Sequence, residues 1–444
     1  MKTSIYAMSV GVMLWTRLAV PATTWYVDAS VPKAGDGTSW QKALKKIQSG
    51  IDKAAEGDTV IVAQGTYVEN INFNGKNIVL RSTNPTDWKV VKETIIDGNK
   101  AGSVVTFYGT EDETCVLSGF TIWNGTGSSV PDPTFPGLYG GGILGVGADG
   151  GTTRTRATIQ NNIITGNSAE TGGGGGLGLC YGPIRNNIII GNSCQWWGGG
   201  IGFCNGIIEN NLIAGNVAPC GGGISFSNAI FRNNVVVGNI AGSHGPVAHI
   251  GTSSYNPPLG GSVSNCIVWG NTSPTGPQVY DSVTPTYSCI QDWTGAGEGN
   301  VALNPGFVDP DGPDDDPNTF EDNDCRLLAN SPCIDAGINE DWMNGALDLD
   351  GNPRILAGIS SLTVDMGAYE VRFSISGIRI VPATGRPELS WESRRMVWYG
   401  VWSCTDLAGG LWNAEAEVGS KGDVMIWTDP DTASVLKFYR VEIK

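Results

Sequence analysis

The chain is poor in charge: Asp, Glu, Lys and Arg supply only 16% of its 444 residues. Histidine occurs twice, at His244 and His249. From Ala101 to Asn300 there is no lysine, and the arginines there are Arg154, Arg156, Arg185 and Arg232. Past the N-terminus no apolar run reaches the roughly 18 residues of a spanning helix, so no later segment reads as membrane-crossing. Neither C-x-x-C nor a Cys/His cluster is present, which argues against a zinc site. The net charge of −16 repels nucleic acid and anionic membrane surfaces. An acidic polymer would be met only through bound cations.

Glycine, at 64 residues without a collagen period, is abundant. The opening "MKTSIYAMSVGVMLWTRLAVPATTWYVDAS" reads as a secretory signal over residues 1–22. Lys2 supplies the positive region, Ile5 to Trp15 the apolar stretch, and Val20-Pro21-Ala22 the cleavage site. A buried N-terminal helix is the alternative. Ten cysteines in an exported chain permit disulfides without fixing their pairing.

A repeat dominates the middle of the chain. The second asparagine of each "NN" falls at Asn162, Asn187, Asn211 and Asn234, spaced 25, 24 and 23. Phe120 upstream, and Cys266 and Cys289 downstream, take the same slot. Three residues before each anchor stand Ile159, Ile184, Ile208, Phe231 and Val263; two after stand Ile164, Ile189, Ile213, Val236 and Val268. Such a period, with short β-branched runs and glycine triplets, excludes helical repeats and fits one coil of a right-handed parallel β-helix. The anchor asparagines then point inward and stack as an amide ladder, and the aliphatic positions fill the core. The triplets beginning at Gly140, Gly198 and Gly221 serve a corner that needs positive φ or close backbone approach.

The two ends are capped. "TSWQKALKKIQSGIDKAAEGD" is amphipathic, with Trp40, Leu44, Ile47 and Ile51 on one face and Ser39 or Thr38 as its N-cap, and it reads as a helix covering the first coil. Outward apolar residues at Ile188, Ile190, Val235, Val237 and Trp269 call for a cover on that sheet, from the tail or a loop. The organisation expected is a β-helix over 23–300, an acidic end module over 301–371 that completes or caps it, and a small β-sandwich over 372–444.

Several stretches match known patterns. "TWYVDASVPKAGDGTSWQKALKKIQSGIDKAAEGDTVIVAQGTYVENI" resembles the start of pectin-lyase-like β-helix proteins. "NPGFVDPDGPDDDPNTFEDNDCRLLANSPCIDAGINE", with "DLDGNPR" and "VDMGAYE", is similar to the choice-of-anchor Q end module. The tail, with "LSWES" and "KFYRVEIK", resembles the β-sandwich modules that end many exported bacterial proteins. The resemblance covers about residues 24–371 plus the tail, and it implies a secreted or surface protein of carbohydrate-rich settings. It implies no reaction, since a shared fold does not carry a site.

Candidate chemistry is sparse. A lyase needs a base beside cationic groups. Arg154 and Arg156, at the edge of the inserted loop "ADGGTTRT", are the weak candidates, with His244 in "GSHGPVAHIG". That loop and "IGTSSYNPP" leave the same side of the helix and would border a trough. A hydrolase needs paired carboxylates, and no outward positions in adjacent coils supply them. Arg185, Glu209 and Arg232 share one position in successive coils and read as a cross-strand charge ladder. Tyr139, Trp196 and Trp197 precede glycine triplets, with Phe135 in the loop before; such rings offer a sugar-binding platform, or merely cover the corner. Asp309, Asp311, Asp314 and Asp316, with Asp348 and Asp350, present oxygen ligands suited to a structural Ca2+, or a solvated acidic loop. Cys180/Cys204 and Cys266/Cys289 stack in successive coils and approach disulfide geometry, although buried thiols suit the second pair better; Cys325 and Cys333 are a further candidate pair. Two functions stand open. One is engagement, with lyase or hydrolase degradation, of extracellular polysaccharide; the other is a non-catalytic surface scaffold.

Overall fold

The computed structural model describes residues 21–443 except 131–136, 146–152, 243–247, 251–260, 275–276, 280–281, 317–318, 320–321, 329, 356–362, 372–374, 393–397, 406–410, 420–423 and 432–436. The chain winds as a right-handed parallel β-helix with three long sheets. The first has nine strands, from Thr24–Val27 to Ser262–Ser264. The second also has nine, from Gly65–Val68 to Cys289–Ile290, and the third seven, from Ile71–Asn72 to Ala248–Ile250. A short four-stranded sheet, Ser168–Ala169 to Ile240–Ala241, fills the corner between the second and third.

The anticipated asparagine ladder is present and buried. Asn187 Nδ2 donates to Asn211 Oδ1 at 3.1 Å and to the carbonyls of Ile159 and Arg185 at 3.0 Å. Asn162 and Asn211 repeat the pattern, and Phe120 N donates to Asn162 Oδ1 at the upper end. One expectation slips. Cys266 N donates to Ser288 Oγ, so Ser288 and not Cys289 holds the next slot. Cys289 pairs with Ile267 and faces outward, since a shift of one residue reverses the face of a strand.

A second ladder runs parallel to the first and was not anticipated. The asparagine of each "GN", namely Asn167, Asn192, Asn216, Asn239 and Asn271, is linked Nδ2 to Oδ1 at 2.9–3.0 Å. Its glycine partners have φ near +60°, which lets the chain turn without a Cβ clash. The first ladder satisfies backbone carbonyls of the first sheet and the second those of the second sheet, where the turns would otherwise leave them unpaired inside the core.

The apolar positions before and after each anchor, Ile159 through Val263 and Ile164 through Val268, are buried in one continuous core. The N-terminal cap is shorter than its amphipathic pattern. A 3-10 turn at Trp40–Lys42 is followed by an α-helix at Ile47–Lys53. Ser39 makes no side-chain cap, and Leu44 instead bridges to Val27. Glu69, from the first coil, accepts from Ile47 N and Gln48 N, and so caps the helix from outside it. The helix rests on the coil at Gly50, where a Cβ would approach Val60 to 2.8 Å.

The acidic segment supplies the cover that the outward apolar residues called for. Phe307, Cys325, Leu327, Leu349, Met366 and Ala368 pack on Ile190, Leu212, Val235, Val237 and Ile267 of the second sheet. The outer asparagines of four successive turns fasten it. Asn186, Asn210, Asn233 and Asn265 have φ between +52° and +57°, a left-handed conformation that asparagine tolerates. Their side-chain amides donate outward to the carbonyls of Asp348, Leu347, Asp365 and Ile338. Further on, two three-stranded antiparallel sheets bury Leu389, Trp391, Tyr399, Val401 and Met425 between them. No helix among the described residues is long and apolar enough to cross a membrane.

Candidate functional site

The corner before the third sheet gathers the aromatic residues. The leading glycines of the triplets, Gly140, Gly174, Gly198 and Gly221, have φ of +57° to +72°. A Cβ on Gly198 would lie 2.2 Å from Ile201 O, so the corner excludes side chains from its own backbone. The strands that follow are short, as in Ile201–Gly202, and in three coils the fifth residue after the leading glycine is left-handed. Those residues are Leu179, Phe203 and Phe226, with φ of 62°, 56° and 48°. Bulky side chains are costly there, by roughly 1–2 kcal/mol each relative to glycine. Stacked coils carry the three side chains one above another on the outside.

A row of rings results. Phe203 and Phe226 stack with centroids 5.3 Å apart and planes 9° from parallel. Trp197 sets its edge against both, at 6.0 and 5.8 Å, and Trp196 lies 5.7 Å from Trp197. Tyr139 closes the other end, 6.0 Å from Phe203. Exposure separates these rings. Trp196 is 54% exposed, Trp197, Phe203 and Phe226 are half-buried, and Tyr139 is 2% exposed. Tyr139 therefore packs on Leu144 and Leu179 and is not a free platform; this corrects the expectation for it. Phe203 and Phe226 were overlooked in the sequence. Their signal was present in "GGGIGFC" and "GGGISFS", where the phenylalanine sits at a fixed distance from the triplet. Phe135 lies outside the described residues.

The charged candidates do not join this row. Arg156 is exposed and pairs with Glu113 at 2.5 Å. Arg154 donates to Thr153 O, and its charge favours the ionised form of the neighbouring Tyr181, whose pKa burial raises. His244, the side chain of His249 and the tips of both inserted loops lie outside the described residues, and so does the trough expected between them. The charge ladder is split. Arg232 donates to Glu209 at 2.8 Å and to Glu340 at 3.1 Å, but Arg185 turns away to Gln160 Oε1 at 2.9 Å.

In the acidic loop, Asp314 accepts from Thr319 Oγ1 and from Asp316 N. Partial burial and the nearby Asp311, Asp315 and Asp324 raise the pKa of Asp309. No group of three or more His, Cys, Asp or Glu side chains converges on a metal position among the described residues. Asp348 and Asp350 are otherwise engaged. Asp348 accepts from the backbone of Asp350, Asn352 and Glu370, while Asp350 takes a bidentate pair from Arg326 at 2.6 Å. The segments "DLDGNPR" and "VDMGAYE" thus build structure. Arg354, fully buried, donates to Glu370 at 2.5 Å and to Gly367 O. Burial pushes the Glu370 carboxyl up to about 8, against the pull of Arg354. All ten cysteines are buried free thiols, and Cys180 N donates to Cys204 Sγ.

Neither a protein-family profile nor a curated protein matches this chain. Among solved structures, a pectate lyase is similar at 14% identity and a TM-score of 0.39, over 79% of this chain and 96% of that one. A pectin methylesterase from Aspergillus niger is similar at 14% identity and a TM-score of 0.34, over 65% and 89%. A pectin methylesterase bound to a hexasaccharide follows at 12% and 0.30, over 64% and 91%. These likenesses transfer no residue role to this chain.

Proposed function

We propose that this is a secreted or cell-surface β-helix protein that binds extracellular polysaccharide along the ring row, with Trp196 as its outermost platform. The observation that carries this reading is the exposure of Trp196 at the open end of rings held on left-handed backbone. A surface indole of that kind offers an apolar face to a pyranose ring, and the costly conformation of Phe203 and Phe226 has to be offset by what those rings support. The shortage of charge favours a neutral or weakly charged polymer over a strongly acidic one. Degradation of the bound polymer, by lyase or hydrolase chemistry, is the finer form of this reading. The competing reading is a non-catalytic scaffold, favoured by the burial of Tyr139 within the same row.

A screen of the mature chain on neutral and acidic polysaccharides tests this, reading binding together with new reducing ends and unsaturated uronate absorbance. Binding to at least one polymer, weakened about tenfold in Trp196→Ala, is the expected result; tenfold corresponds to about 1.4 kcal/mol. Product formation would add the enzymatic form. Silence on every polymer would leave the scaffold.

A further inference from the structure

A cavity of about 300 Å3 opens on the opposite corner, between the "NN" turns and the end segment. Its walls include Trp88, Trp342 and Leu347, and Arg185 and Asn210 line it beside Thr86 at the rim. This size lies at the small end of ligand sites, which run from roughly 300 to 1,000 Å3.

Three features of the cavity go beyond what holding the cover requires. Arg185 is half-buried and uses only its Nε, toward Gln160, so its two terminal nitrogens have no partner among the described residues. Asn210 is 2% exposed; its Nδ2 holds Leu347 O, while its Oδ1 is buried with no hydrogen-bond donor. Two indoles flank these groups. Trp88 is anchored through Nε1 to Leu349 O at 3.2 Å, and Trp342 lies with its ring 4.0 Å from the Arg232 guanidinium. A buried polar atom without a partner is rare enough in proteins to call for an explanation, and here the Asn210 acceptor lines the same cavity as the half-buried Arg185 donors.

We propose that this cavity is a second sugar site, which takes one neutral pyranose unit, such as a chain end or a branch. One ring with adjacent hydroxyls presents an oxygen to the Arg185 nitrogens and an O–H toward Asn210, while its apolar face lies against an indole. A small carboxylate would answer Arg185 but bring no donor for Asn210; a uronide brings hydroxyl donors together with a negative charge. Either would also enter a charged neighbourhood that is already anionic. Glu209, Glu340 and Asp348 carry three negative charges there, against the two positive charges of Arg185 and Arg232. The site shares no residue with the ring row and stands whether or not that row binds polymer.

Saturation-transfer NMR with neutral methyl pyranosides and with a methyl uronide tests the assignment on the full chain. Two variants are compared with the native protein and with Trp196→Ala. Arg185→Met removes the donors, and Thr86→Trp fills the rim from an exposed position. The expected result is saturable transfer from a neutral pyranoside that persists in Trp196→Ala and falls at least tenfold in both cavity variants. Loss in Trp196→Ala with retention in the cavity variants would place the ligand on the ring row and overturn the proposal. A uronide that binds as tightly as the neutral sugar, or no transfer from any glycoside, would overturn it as well.

Discussion

Two corners of the same coils are treated in opposite ways. At the "NN" turn, the outer asparagines hand their amides to a covering segment, and the apolar face of the second sheet disappears beneath it. At the glycine corner no such cover lies over Trp196 among the described residues, and aromatic rings stand on left-handed backbone instead. Both corners need positive φ. Asparagine meets that need where the side chain has a protein partner, while phenylalanine meets it against its own preference. The covered corner uses the residue suited to that conformation; the corner that exposes Trp196 carries residues that adopt it at a cost.

That contrast can be broken at graded strengths. The largest effect is expected inside the coil. Asn187→Leu strands the carbonyls of Ile159 and Arg185 and interrupts the ladder on both sides, for a loss of roughly 4 kcal/mol in denaturant unfolding. A milder substitution there, by no more than about 1 kcal/mol, would show that the ladder is decoration. Next comes the cover. Glu370→Ala leaves the fully buried Arg354 without its side-chain acceptor and opens a void beside it, and should cost about 3 kcal/mol.

The same group gives the cover a pH dependence. The folded pKa of Glu370 lies near 8, above the ordinary value of 4.5, so the folded state holds the proton more tightly than the unfolded one. Its stabilising contribution is complete below about pH 4.5 and is lost as the pH rises through about 8. Thermal unfolding of the native protein across that window should fall, and a rise would reverse the assignment.

A smaller effect is expected at the outer turn. Asn210→Ala removes one hydrogen bond and puts alanine at positive φ, for about 1–2 kcal/mol. Hydrogen exchange should quicken in residues 341–349 while the coil interior stays protected. The smallest change in stability belongs to the other corner. Trp196→Ala should move unfolding by less than about 0.5 kcal/mol, because the ring is more than half exposed, even though polymer binding suffers. If Trp196→Ala destabilises as much as Asn210→Ala, the two corners are alike and the ring row is packing.

Much of the β-helix is legible in the residues alone. The anchors, the flanking aliphatic residues and the glycine triplets recur because every coil meets the same environment, so a local requirement becomes a periodic signal. The slip at Cys289 marks the limit of that signal: once the asparagine is lost, the register is carried by a single serine, Ser288, that the pattern does not distinguish. The capping helix was overextended for a related reason. Its first half has a helical pattern, but Leu44 is drawn into a bridge with Val27 at the sheet edge. Phe203 and Phe226 were readable in the repeat yet uninformative alone, because their conformation gives them meaning and conformation is not written in residue type.

The sequence by itself determined the repeat, the inward ladder and the shortage of charge, since each follows from residue type at fixed spacing. The tertiary structure alone decided which asparagine of each pair faces outward, what it holds, and how Trp88, Arg185 and Trp342 come together. These contacts join residues as much as 261 positions apart, as between Trp88 and Leu349. No spacing rule reaches that far, because such contacts depend on where the covering segment returns to the coil.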